Sequence, residues 1–261
     1  MSLEIRCLDA ERTQEFAADL LALERDVWYP LGDDRFRIDH GRRYTAFFER
    51  LGDVRVHLAF DAGIVVGVLV AVLRRSPFDG RDLWYLADLK SRGEGASVTA
   101  ALWRAFRARA ETNRGFAVSM DPARGPNRLV HMALRRLQPR PAAIAQLVFH
   151  FLDAKGADRA VRELEPLLGA VSFLDLAGAT DLRLESAGRP WPLVHAQFGP
   201  WAQHDALELR PRPGYVHAFC AIDGSALAAR LAAIAPVAAR ATLLAHGLAL
   251  EQIGAPLSSD I

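Results

Sequence analysis

Residues 83–109 constrain the fold of this 261-residue chain more than any other stretch. The apolar run Leu83-Trp84-Tyr85-Leu86-Ala87-Asp88-Leu89 reads as a strand. It meets Arg92-Gly93-Glu94-Gly95-Ala96-Ser97 and then an alanine-rich amphipathic helix running to about residue 112. A strand that feeds a glycine-containing turn at a helix start aims unpaired backbone N–H groups, and the positive end of the helix dipole, at one spot. Such a spot suits an anion, above all a phosphate. Gly93 and Gly95 carry no Cβ and let a phosphate approach the backbone, while Arg92 offers a planar, permanently charged fork. Ser97 caps the helix or bonds a phosphate oxygen.

The surroundings read as an ordered series. Residues 4–8 alternate as a strand, and a helix follows over 11–28 with Phe16, Leu20, Leu23 and Val27 on one face, stopped by Pro30 and Gly32. Residues 33–43, crowded with Asp, Arg and His, read as an exposed loop, and 44–51 as a short helix. Residues 54–60 form a strand, Asp61-Ala62-Gly63 a hairpin turn, and 64–73 a β-branched strand buried on both faces. After Gly115, Phe116-Ala117-Val118-Ser119-Met120 returns as a strand parallel to that at 83–89; a basic helix over 127–137 and a strand over 144–152 follow.

This stretch resembles the acyl-coenzyme-A-binding motif of the GNAT (Gcn5-related) N-acyltransferases, whose pattern is Arg or Gln, two residues, Gly, one residue, then Gly or Ala. Here it reads Arg92, Gly95, Ser97. The resemblance covers about residues 5–153. It implies an α/β (α+β) fold with a GNAT-like mixed central sheet in a domain over 1–153, with 154–261 packed against it as an α+β appendage or a degenerate second GNAT-like half. Pro139-Arg140-Pro141 is the expected hinge.

The resemblance further implies that acetyl-CoA or a longer acyl-CoA is held by Leu89, Arg92, Gly93, Glu94, Gly95, Ala96, Ser97 and Asn127, with strands 83–89 and 116–120 splaying to admit the pantetheine arm. The 33–43 region would close over the acceptor, so Asp33, Asp34, Arg35, Arg37, Asp39 and His40 are candidate contacts. Asp88, a carboxylate near the end of its strand, matches the family's usual base; the alternative is an ion pair with Arg92 or Lys90. Tyr85 is the nearest phenol to act as acid, and Ser119, Asp121 and His131 complete the candidates, His131 also fitting an outward helix face. Tyr85 and Asp88, an odd number of residues apart, should point to opposite faces. Two features depart from the family. Its acid tyrosine, about seven residues after Asn127, is replaced by Leu134, and only Lys90-Ser91 separates Leu89 from Arg92, so either the strand ends early or the pyrophosphate cradle is short.

The net charge of +1 argues against bulk nucleic-acid binding. Between residues 92 and 140, however, ten arginines face only Glu94, Glu111 and Asp121, a local excess that suits a polyanionic cofactor, an acidic carrier protein or solvated helix faces. Lys90 and Lys155 are the only lysines, which leaves no Gly-Lys-Ser/Thr phosphate loop. Cys7 and Cys220 read as buried thiols of a reducing cytoplasm, and no signal-peptide pattern or membrane-length apolar run is seen.

Beyond residue 153 the pattern predicts a helix over 157–168, strands near 171–176, 182–185, 193–198 and 215–222, a helix over 225–234 and an Ala/Leu-rich helix after Pro236. The Pro190–His204 run carries Trp191, Trp201, His195 and His204; it predicts a rigid aromatic surface that lines a pocket or joins subunits into a homodimer. A metal site from the two histidines is disfavoured by their spacing and by the lack of nearby cysteine. The function expected is N-acyl transfer from acyl-CoA to a small-molecule amine by direct attack. The alternatives are a non-catalytic acyl-CoA sensor or interaction protein, or an N-acyl amino acid synthase-like enzyme fed by acyl carrier protein, to which residues 25–29 and 85–89 bear a short similarity.

Overall fold

Strands this apolar need cover on both faces, and the topology supplies it. The computed structural model describes residues 3–92, 96–175, 180–187, 190–202, 210–254 and 256–260. In chain order the elements are β1 (Glu4–Leu8), α1 (Ala10–Thr13), α2 (Ala17–Asp26), β2 (Tyr29–Leu31), β3 (Asp34–Asp39), α3 (Ala46–Glu49), β4 (Asp53–Asp61), β5 (Ile64–Arg75), β6 (Asp82–Ser91) and α4 (Ala96–Arg107). There follow β7 (Gly115–Met120), α5 (Arg128–Arg136), β8 (Ala142–Leu152), α6 (Ala154–Leu168), β9 (Ser172–Asp175), β10 (Thr180–Leu184), β11 (Leu193–Gln197), β12 (Val216–Ile222), α7 (Ala226–Ala232), β13 (Ala239–His246) and α8 (Leu250–Ile253).

Among the described residues one mixed sheet of ten strands runs β1-β4-β5-β6-β7-β13-β8-β12-β11-β9, and a small sheet runs β10-β3-β2. On one face α4 and α5 bury Val98, Leu102, Phe106, Val130 and Ala133 against Leu69 and Trp84. Contact there is close: a Cβ on Gly67 of β5 would lie 2.5 Å from Val98 Cγ1 of α4. The other face carries a larger core to which both halves contribute, from Leu20 and Leu23 of α2 to Leu164 of α6 and Phe219 of β12. The sequence boundary at Asp153 falls just after β8, and strands from both sides of it share the sheet.

Three expectations are corrected. The Ala/Leu-rich segment after Pro236 is not a helix but β13, antiparallel to both β7 and β8. Its composition favours helix, but open edges on both sides take its backbone groups, and a strand inserted between two neighbours hydrogen-bonds along its whole length. The 33–43 segment is not an exposed loop: β3 pairs with β2 and with β10 from the C-terminal half. The alternation that makes β3 a strand is masked by charges whose partners lie far along the chain, Arg35 on Glu185 and Arg183 on Asp39. Cys7 is half-buried, while Cys220 is buried as expected.

Candidate active site

The site begins with an irregularity in β6. Leu89 pairs with Leu69, Asp88 with Val70, and Leu86 with Ala71, so Ala87 is an extra residue in a β-bulge. The bulge reverses the side-chain alternation beyond it. Tyr85 and Asp88 therefore share the face of the larger core, opposite to the parity expected from their spacing. The parallel ladder between β6 and β7 runs Trp84↔Gly115, Tyr85↔Phe116, Leu86↔Ala117 and stops at the bulge. From there β6 continues to Ser91 and β7 to Met120 without pairing with each other, and the two strands form a wedge.

A cavity of about 830 Å³ passes through this wedge. On the α4/α5 face it is lined by Trp103, Phe106 and Met132; on the other, concave face by Phe36, Phe47 and Phe48. Polar groups gather where the wedge opens on the concave side. Asp88 Oδ1 accepts from the Tyr29 hydroxyl at 2.7 Å and Oδ2 from the Tyr44 hydroxyl at 2.5 Å. Lys90 Nζ pairs with the same carboxylate and lies 3.7 Å from Glu24. Glu24 in turn holds His40 Nδ1, and the His40 ring stacks on Tyr44 with centroids 4.6 Å apart. Glu24, His40, Tyr44, Asp88 and Lys90 are all buried. Burial raises the Asp88 pKa, but Lys90, His40 and the hydrogen bonds from Lys90 and Tyr44 outweigh it and hold the carboxyl at about 2. Burial, and then the Asp88 charge, push the Tyr29 and Tyr44 phenols well above their ordinary value.

A second polar group closes the end of β7. Asn127 caps α5 by accepting from Val130 N, and its amide donates to Ser119 Oγ and Met120 O at 3.1 Å and to Asp121 Oδ1 at 2.7 Å. The Thr242 hydroxyl of β13 also donates to Asp121. Ser119 thus accepts from Asn127, and its own O–H has no acceptor among the described residues, while Ser119 lines the cavity.

The remaining candidates distribute unevenly. Leu89 lines the cavity. Gly93, Glu94 and Gly95 lie outside the described residues; Ala96 opens α4, and Ser97 is exposed in its first turn. Because β6 reaches Ser91, the strand does not end early, and only residues 92–95 link it to α4. Arg92 Nε donates to Asp26 at 2.8 Å, so Lys90 and not Arg92 pairs with Asp88. Tyr85 is stacked on Phe116 in the core and does not line the cavity. His131 is exposed, since α5 turns Val130 and Ala133 inward. Of the charged residues over 33–40, only Arg35 and His40 line the cavity.

Within the Pro190–His204 run, Leu193–Gln197 form β11 and Gly199–Trp201 a tight turn; His195 and Trp201 are buried, Leu193 and His195 line the cavity, and His204 lies outside the described residues. Arg124 and Arg128 line the cavity and have no partner among the described residues. Sequence reasoning missed Glu24, Tyr29 and Tyr44 as site residues, and named Lys90 only as an alternative ion-pair partner of Asp88. The one local signal was the unusual placement of a lysine in an apolar strand two residues from Asp88.

No protein-family model matches the chain, and neither does any curated protein. Among solved structures it is similar to a tandem GNAT protein from the clavulanic acid biosynthesis pathway, solved without acetyl-CoA, at a TM-score of 0.50 and 12% identity over 94% of this chain and 98% of that one. The fold is GNAT-like, in tandem. A putative acetyltransferase from Pyrococcus horikoshii is also similar, at a TM-score of 0.47 and 12% identity over 96% of this chain and 91% of that one.

The repeat can be followed strand by strand in the GNAT-like sheet. β7–α5–β8 matches β12–α7–β13, and the spatial order β7-β13-β8-β12 shows each half lending its last strand to the other. The parallel pair β11 and β12 also keeps three rungs, Leu193↔Val216, Val194↔His217 and His195↔Ala218. Where that ladder ends, the C-terminal turn lies against it. The Ser258 hydroxyl donates to Ala218 O at 2.8 Å and lies 3.2 Å from His195 Nδ1, Gln197 Nε2 donates to Ser259 Oγ at 2.9 Å, and Asp260 pairs with Arg74 of β5 at 2.5 Å. Among the described residues, no helix is long and apolar enough to cross a membrane.

Proposed function

We propose that the protein is an N-acyltransferase that takes an acyl group from acyl-CoA and passes it to an amine through the β6/β7 wedge. The observation that carries this reading is the through-sheet cavity at the parted strands, which gives two reactants separate entrances to one point. The residues present suit a polyanionic thioester on the α4/α5 side: Arg124 and Arg128 have no partner among the described residues, the segment 122–152 contains no acidic residue, and β6 has no partner on its β7 side beyond Leu86 among the described residues. Acyl-CoA when bound supplies a thioester whose carbonyl carbon takes the amine nitrogen, the C–S bond breaking and the amine's proton ending on the released thiol.

The protein's part is proton handling and placement. Both oxygens of Asp88 are engaged, so its role is to fix Tyr29, Tyr44 and Lys90. His40 has the arrangement of a base. Glu24 engages the Nδ1 of His40, and the ring lines the cavity, so Nε2 is the ring nitrogen that remains to meet the amine. The Ser119 hydroxyl, oriented by Asn127, takes the place of the absent tyrosine as donor to the leaving sulfur. Neither Cys7 nor Cys220 lines the cavity, so the amine attacks directly.

Calorimetric titration with acetyl-CoA, a longer acyl-CoA and CoA, followed by thiol release with mixed amines, tests the reading. Binding is expected, and Arg124→Ala with Arg128→Ala should weaken it about tenfold and flatten its salt dependence, each lost charge-assisted contact being worth about 0.5–1 kcal/mol at the surface. Absence of binding would sink the assignment. Binding without thiol release would favour the non-catalytic reading, which Leu134 in place of the acid tyrosine supports.

A further inference from the structure

On the reading just proposed, the amine enters from the concave side, and the chemistry of that side narrows its identity. The walls are Trp28, Phe36, Ile38, Phe47, Phe48 and Leu193. The charged side chains there already have partners. Arg35 forms a two-pronged pair with Glu185, and Asp88 is held by Lys90 and two phenols; Glu24, behind the wall, is held by His40. A second ammonium on the acceptor would therefore meet no free carboxylate among the described lining residues. A carboxylate or phosphate would meet no free cation on that side, and an unpaired charge in such surroundings is strongly disfavoured.

Two imidazole nitrogens keep hydrogen-bonding capacity. His40 presents Nε2 for the reason given above. At His195, the Ser258 hydroxyl spends its hydrogen on Ala218 O, so it accepts from Nδ1–H, and Nε2 is left as a lone pair with no partner among the described residues. Both rings line the same cavity. Phe47 lies between them, its ring 5.7 Å from His195 and 6.0 Å from Phe48, which is 5.1 Å from His40.

We infer that the acceptor is a monoamine on an apolar body of aromatic size, uncharged elsewhere, with its amino group toward His40 and any N–H or O–H at its far end toward His195. Arylalkylamines are the simplest members of this class; polyamines, amino acids and phosphorylated amines are outside it.

The test is titration of the whole chain, saturated with CoA, with phenethylamine, tryptamine, spermidine and lysine, then thiol release from acetyl-CoA with the same four. Phenethylamine and tryptamine should bind at least tenfold more tightly than spermidine or lysine and release thiol faster. His195→Leu should weaken tryptamine, which carries an N–H at its far end, about fivefold more than it weakens phenethylamine, which carries none. A preference for spermidine or lysine, or no binding by any of the four while CoA binds, would overturn the inference. Unchanged tryptamine affinity in His195→Leu would overturn the placement at that end. Failure of CoA itself to bind would instead strike the acyltransferase reading on which the inference rests.

Discussion

Replacing Asp88 by asparagine should remove a pH-dependent part of the stability, and its size follows from the site. The Asp88 carboxyl sits at about 2 against an ordinary 3.8. At about 1.36 kcal/mol per pH unit, that difference is worth about 2 kcal/mol. Because the folded-state value is depressed, the folded protein binds this proton less readily than the unfolded chain. The stabilisation is therefore complete above pH 4 to 5 and is lost as pH falls from the ordinary value toward 2, about half of it by pH 3. Asparagine keeps the shape and an acceptor oxygen for Tyr29 or Tyr44 but has no charge for Lys90, whose next carboxylate, Glu24, is 3.7 Å away. The variant should thus be less stable at pH 7, by at least 2 kcal/mol, with the gap shrinking by about 1.5 kcal/mol between pH 7 and pH 2.5. Urea unfolding of both proteins across that range, in sulfate to keep the folded state populated, measures the gap directly, since other carboxylates cancel in the difference. A gap that stays constant with pH would show that Asp88 is not the buried anion of this cluster, and the account of the site would fail with it.

Two further outcomes are expected. Asp260→Ala should strand the buried Arg74 guanidinium and lower the unfolding free energy by about 3–5 kcal/mol, whereas Arg74→Met with Asp260→Leu should recover most of the loss; chemical denaturation of the three variants decides whether the C-terminal turn is locked in place. His195, held at about 4 mainly by burial and then by the Arg50 charge, stabilises the fold in its neutral form. That contribution, about 3 kcal/mol, is complete above pH 6.5 and lost as pH falls through 4, so His195→Gln should flatten the acid limb of a thermal-stability profile over that window.

Much of the fold was legible because local patterns and tertiary demands agreed. The meander β4–β5–β6, the helix α4 and the parallel return β7 follow from alternation, a hairpin turn and a strand–glycine–helix sequence, and the family resemblance rested on the same residues. Disagreement arose where a segment's environment came from far along the chain. β13 looks helical by composition and becomes a strand because β7 and β8 hold edges open for it. β3 looks like a charged loop and becomes a strand because β10 pairs with it and brings Arg183, and Glu185 just after it, to its charges. The candidate site divides the same way: Asp88, Ser119, Leu89 and Asn127 were visible beside the motif, but the partners that set their chemistry were not.

The sequence by itself determined that residues 64–73 form a strand buried on both faces, where the helix after the glycine turn begins, and that arginine is concentrated over residues 92–140, because each of these depends on residues close together in the chain. Only the tertiary structure decided which way Asp88 points, since a single bulged residue, Ala87, reverses the alternation beyond it. It alone brought Glu24 to His40, Tyr29 and Tyr44 to Asp88, and Ser258 to His195, because a buried polar side chain takes whichever partner the packed chain delivers, and those partners lie between 16 and 63 residues away.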